Sequence, residues 1–63
     1  MITKDYFKLI GKIGITESSL NPCGIVQIDD EIYSVKTEGE FVDEGRGVKV
    51  IRVQGKKIIV IRV

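Results

Sequence analysis

Val48-Lys49-Val50-Ile51-Arg52-Val53, then Gln54-Gly55, then Lys56-Lys57-Ile58-Ile59-Val60-Ile61-Arg62-Val63: this C-terminal stretch decides the fold. Two runs dense in β-branched residues and joined by a short glycine turn predict a β-hairpin. Gly55 supplies the positive φ that such a turn demands. Pairing Val53 with Lys56 sets Val50 opposite Ile59 and Val48 opposite Ile61, which makes one apolar face. The other face carries Ile51, Ile58 and Val60 and is apolar too. Strands of this kind are buried on both sides, bulged, or covered by something outside the chain.

Upstream lies a second hairpin. Gly24-Ile25-Val26-Gln27-Ile28 alternates, Asp29-Asp30-Glu31 turns, and Ile32-Tyr33-Ser34-Val35-Lys36-Thr37 alternates again. Pairing Ile28 with Tyr33 and Val26 with Val35 places all four on the inner face. The outer face is mostly polar, with Ile25 and Ile32 as its apolar exceptions. Between the hairpins, Phe41 and Val42 are apolar islands among glycines, and Gly45 closes a tight turn. A first strand is expected over Leu9 to Thr16, where Gly11 and Gly14 mark bends or close backbone approaches. Glu17 to Pro22 forms a polar loop with Leu20 tucked beneath it. Thr3 to Lys8 is the one helix-like segment. Residues 1–8 are therefore expected to be a tail or linker, and residues 9–63 one all-β domain of about five short strands. Closure into a small five-stranded barrel removes the exposed edges that an open sheet of this size would leave.

Composition narrows the function. The chain has 63 residues, ten Lys and Arg, nine Asp and Glu, and a net charge of +1. One small domain fits, with a thin core. No apolar run reaches the roughly 20 residues of a membrane helix. Met1 leads into Lys4 and Asp5 rather than the apolar stretch of a signal peptide. No His is present, so the commonest general base and metal ligand are missing. Cys23 therefore has no imidazole to activate it, and is expected to be a small apolar filler beside Pro22 and Gly24. Ser18 and Ser19 lack a His partner as well. Asp29-Asp30-Glu31 and Asp43-Glu44 are short of the six or more oxygens a hard cation takes, and read as turns. No catalytic, cofactor-binding or metal-binding residue is assigned. Arg46, Lys49, Arg52, Lys56, Lys57 and Arg62 cluster toward the C-terminus, but they alternate with apolar residues as a solvated outer face does.

One family orders these features in the same way. Gly11 and Gly14 are followed by Leu20, Pro22 and Gly24, by Val26, Ile28 and Asp29, and by Tyr33 and Val35. Gly39-Glu40-Phe41-Val42 and Gly45 come next, ahead of Val48, Val50, Val53, Gly55, Ile59 and Val60. From about Leu9 to Val63 the chain resembles the C-terminal soluble domain of the NfeD family. The resemblance implies an OB-like barrel without catalytic residues. It implies a membrane-associated parent protein whose soluble domain contacts stomatin- or flotillin-like SPFH membrane proteins, with membrane attachment through segments absent from this chain. The family's turn after the second strand reads Asp-Gly, where this chain has Asp29-Asp30.

Two classes of function compete. A protein-interaction module is favoured by Ile25 and Ile32, apolar residues on a face that should be wet. An OB-fold binder of single-stranded nucleic acid would need rings in a basic groove. The rings are Tyr6, Phe7, Tyr33 and Phe41, and Tyr33 and Phe41 are expected in the core, so nucleic acid is the alternative. A carrier role would need a lysine at a hairpin tip in a Met-Lys-Met or Asp-Lys-Ala setting, which Lys56 and Lys57 lack. No small-molecule substrate is implied.

Overall fold

A computed structural model describes residues 6–63. Residues 1–5, and with them the start of the expected tail and of the Thr3–Lys8 helical candidate, lie outside the described residues. A 3₁₀ turn, Tyr6–Leu9, precedes five strands: β1 Ile13–Thr16, β2 Cys23–Ile28, β3 Glu31–Lys36, β4 Gly47–Gln54 and β5 Lys57–Arg62. They close into a barrel in the order β1-β2-β3-β5-β4, the all-β architecture expected from the sequence. Neighbours are antiparallel except β3 and β5, which meet in parallel through the single pair Lys36↔Ile59.

Alternation fills the interior. Val26, Ile28, Val35, Val48, Val50 and Val60 point inward from the strands, and Leu20 and Val42 close the core from the loops. Leu20 and Val42 are joined as an isolated bridge, with Leu20 N–H to the Val42 carbonyl at 2.8 Å and the reverse bond at 3.0 Å. β1 starts at Ile13 rather than Leu9. The 3₁₀ turn rolls Leu9 into the core, and Gly11, at φ 91°, then redirects the chain. Gly14 fulfils the expected close approach: a Cβ there would sit 2.7 Å from the Gln27 carbonyl oxygen.

The hairpin registers differ from expectation. β2 and β3 pair Val26 with Tyr33 and Ile28 with Glu31, two residues from the expected alignment. A shift of two keeps each side chain on its face, so the inner set is preserved. The turn is the two-residue Asp29-Asp30, and Asp29 carries the positive φ of 56°. Asp30 does not, which explains how the chain dispenses with the family's glycine at that position.

In the last hairpin the turn falls on Gly55-Lys56 and a bulge at Ile51 interrupts the ladder, so Val50 pairs with Val60 and Val53 with Ile58. Val50 therefore sits one residue from its expected partner. A slip of one turns β5 over, so Ile58 and Val60 face inward and Ile61 faces solvent. Ile59 is buried on the outer side. Its cross-strand neighbours are Arg52 and Lys36, and Arg52 is tied to Glu38 by a salt bridge.

Two threonines fasten the loops. The buried Thr16 hydroxyl donates to the Asp43 carbonyl at 2.7 Å and accepts from Arg46 N–H at 2.9 Å. The buried Thr37 hydroxyl donates to the Glu40 carbonyl at 2.6 Å. Thr16→Val is expected to cost about 1–3 kcal/mol by stranding both partners. Thermal melts give the cost, and amide hydrogen exchange at Arg46 should accelerate. Thr16→Ser should restore both.

Candidate functional site

The interior is filled by aliphatic side chains, so any site must lie on the outer surface. On that surface strand register decides which side chains meet. β1 carries Ile13 and Ile15 outward because Gly14 and Thr16 face in. Ile15 is paired with Gln27 of β2 on one side, and Gln27 with Ile32 of β3. On the other side Ile15 meets Gly47 of β4. Val63 bonds to the Gly47 carbonyl at 3.2 Å, and its γ-methyl lies 3.2 Å from where a Cβ of that glycine would be. A parallel row runs from Ile13 through Lys49 to Ile61. Ile13, Ile15, Ile61 and Val63 are thus brought to one outer face over β1, β4 and β5, with Lys49 between Ile13 and Ile61, and Gln27 separates Ile15 from Ile32.

Ile15 is 49% exposed, Ile32 55% and Ile25 36%. Ile32 therefore stands in solvent, while Ile25 is at the margin, beside Ser34 and next to the Glu17 main chain. Both sequence candidates share the outer face of the β2–β3 ribbon. The larger β1–β4–β5 part was missed. Its signal was Gly14: a glycine needed for close approach inside obliges Ile13 and Ile15 to face outward.

Other sequence candidates fall elsewhere. Phe41 is 52% exposed and not in the core, because Val42 takes the inward position of that loop. Tyr33 packs on the core and meets Tyr6 edge to face, ring centroids 6.1 Å apart. Cys23 is exposed at the start of β2 and is not a buried filler. The strand leaves it on the outer face, since Gly24 must sit against the loop before it. Lys12 bonds to Asp29 at 2.8 Å, and that hydrogen bond and the carboxylate's charge raise its pKa. Among the described residues no three of Cys, Asp and Glu gather as a metal would require. No helix among them is long and apolar enough to cross a membrane.

Comparison with known proteins agrees with the fold. Residues 8–62 match the NfeD-like C-terminal, partner-binding domain. The chain is 50% identical over 52 residues to membrane protein NfeD1b of Bacillus subtilis (strain 168), covering 82% of this chain and 12% of that protein. It therefore spans about one-eighth of that relative's length. The C-terminal domain of stomatin operon partner protein 1510-C from Pyrococcus horikoshii superposes with a TM-score of 0.88 at 26% identity, over 97% of both chains. The soluble domain of a membrane protein implicated in regulation of membrane protease activity, from Corynebacterium glutamicum, gives 0.83 at 26% identity, over 92% of this chain and 97% of that one.

Proposed function

This chain belongs to the NfeD family as its C-terminal, partner-binding domain, and from that membership we propose that it docks a stomatin-like membrane protein through its outward aliphatic face. The observation that supports the reading is the gathering of exposed Ile13, Ile15, Ile61 and Val63 on one outer face, with Ile32 and Ile25 as its flank. Contiguous exposed aliphatics of this kind mark contact surfaces, whereas isolated ones are ordinary. The domain acts as a scaffold without catalysis, and the parent protein holds it at a membrane. The likeness to a stomatin operon partner supports a stomatin-like partner.

The test is binding of the chain to the purified stomatin-like protein of the same organism, by calorimetry. Ile15→Asp and Ile32→Asp should each weaken binding at least tenfold, because a charge would be buried at the contact. Each variant should remain folded, since both residues are about half exposed, and a thermal melt of each accompanies the titration. Wild-type affinity in both variants would remove this face from consideration. A single-stranded nucleic-acid site is less favoured, since Tyr6 and Tyr33 are committed to packing.

A further inference from the structure

Positive charge gathers where β3 meets β5. The one bonded pair of that seam sets Lys36 of β3 beside Ile59 of β5. Lys57 lies two residues before Ile59 and Ser34 two before Lys36, so each shares the outer face of its strand. The strands are parallel, which brings Ser34 and Lys57 level with each other. Lys56, in the β4–β5 turn, follows Gly55 at the same end of β5. A cleft of about 350 Å³ is lined by Ser34, Lys36, Lys56 and Lys57, among others, and no carboxylate is in the lining. Glu38 is already bonded to Arg52. Among the described residues none of the three lysines has a carboxylate partner. Three positive charges against a chain total of +1 leave −2 for the rest of the molecule. Like charges gathered in this way repel one another, and a cleft lined by one sign of charge concentrates counter-ions.

We propose that this cleft binds a phosphomonoester group, with Lys36, Lys56 and Lys57 as its cationic partners and the Ser34 hydroxyl as a neutral donor. A phosphomonoester carries close to two negative charges and three strong acceptor oxygens, which matches three ammonium groups better than the single charge of a carboxylate. Small-molecule sites run from about 300 to 1,000 Å³, so the cleft has room for an organic substituent on the phosphate. Two sources present this group: a soluble organic phosphate and a phosphatidate headgroup at a membrane surface. A nucleic-acid strand fits less well. Its phosphates are diesters of single charge, and the lining holds no ring on which a base could stack. The site shares no residue with the docking face proposed above and does not depend on that reading.

The experiment is a titration of the isotope-labelled chain with glycerol 3-phosphate at low ionic strength, followed by NMR. The amides of Ser34, Lys36, Lys56 and Lys57 should shift together and saturate. Dimethyl phosphate, a monoanion, should bind at least tenfold more weakly. Lys36→Gln with Lys57→Gln should weaken binding at least tenfold, while a dispersed amide spectrum shows that the barrel is intact. Lys8→Gln with Arg46→Gln removes the same charge from exposed positions outside the cleft and should change the affinity less than twofold. Ile15→Asp should leave the titration unchanged, so failure here and failure of the docking face are read apart. Co-sedimentation with phosphatidylcholine vesicles carrying either phosphatidate or an equal charge of phosphatidylglycerol distinguishes the sources. Greater retention on phosphatidate, lost in the Lys36 and Lys57 double variant, assigns the headgroup, whereas saturating shifts with equal retention assign a soluble phosphate. Unmoved cleft amides together with equal retention overturn the proposal. So do equal binding of dimethyl phosphate, an equal loss in the Lys8 and Arg46 double variant, or tighter binding of oligothymidine at the same amides.

Discussion

Leu20→Ala is expected to unfold a large part of the population near physiological temperature. Leu20 is fully buried and belongs to the single core cluster. Removing a leucine side chain from such a site costs about 2–5 kcal/mol, and the loss grows with the cavity that remains. Collapse of the loop would reduce that cavity, but the Leu20 main chain is held on both its N–H and C=O by Val42. The backbone therefore has little freedom to settle inward, and the cost should lie in the upper part of the range. A chain of 63 residues has a total stability of roughly 3–9 kcal/mol, so one residue carries a third or more of it. Urea denaturation should show a fall in midpoint with an unchanged slope. The melting temperature should drop by about 10 °C or more. A variant melting within about 2 °C of the parent would mean that the loop over residues 17–22 does not seal the barrel.

The sequence makes the inner residues of β2 and β3 readable because alternation depends on parity alone. Val26, Ile28, Tyr33 and Val35 keep their face under the two-residue shift in register. The β4–β5 hairpin is not protected in that way. Its turn has two glycine-compatible placements, and the bulge at Ile51 adds one residue to one strand only. Both choices depend on twist and closure, which composition does not encode. Phe41 is expected in the core as one of its few rings, but the inward position of that loop is filled by Val42. The proposed docking face is the least legible part. Ile25 and Ile32 are visible as exceptions within an otherwise polar face, whereas Ile13, Ile15, Ile61 and Val63 come from separate strands and become neighbours only through the barrel's order.

That separation of roles has a physical consequence. The core is built from inward positions and the proposed docking face from outward ones, so binding and stability should respond to different substitutions. Exposed isoleucines such as Ile15 and Ile32 can be charged at lower cost to folding than core residues, because only part of their surface is buried. Inward valines cannot. The glycines at 14 and 24 are the link between the layers: each admits a close approach inside and thereby fixes which neighbours face out.

Gly24→Ala tests that link and should be strongly destabilising for a change of one methyl. A Cβ at Gly24 would collide with the Ser19 carbonyl, lie 2.6 Å from Leu20 Cδ2 and lie 2.7 Å from Ser18 Oγ. None of the three yields readily. Ser19 contributes backbone, Leu20 is packed in the core, and Ser18 Oγ accepts a 3.0 Å hydrogen bond from Ile25 N–H. Overpacking of this kind costs about 1–3 kcal/mol. The double variant with Leu20→Ala discriminates steric conflict from a general weakness of the loop. Loss of the leucine removes one collision, and the new methyl occupies part of the cavity left behind. The double variant should therefore be more stable than the sum of the single effects by about 0.5–1.5 kcal/mol. The cycle is measured by urea denaturation in sucrose, which keeps the weakest member folded at zero denaturant. Additivity within about 0.3 kcal/mol would show that Gly24 and Leu20 do not share the space assigned to them, and that the loop is seated on β2 by some other contact.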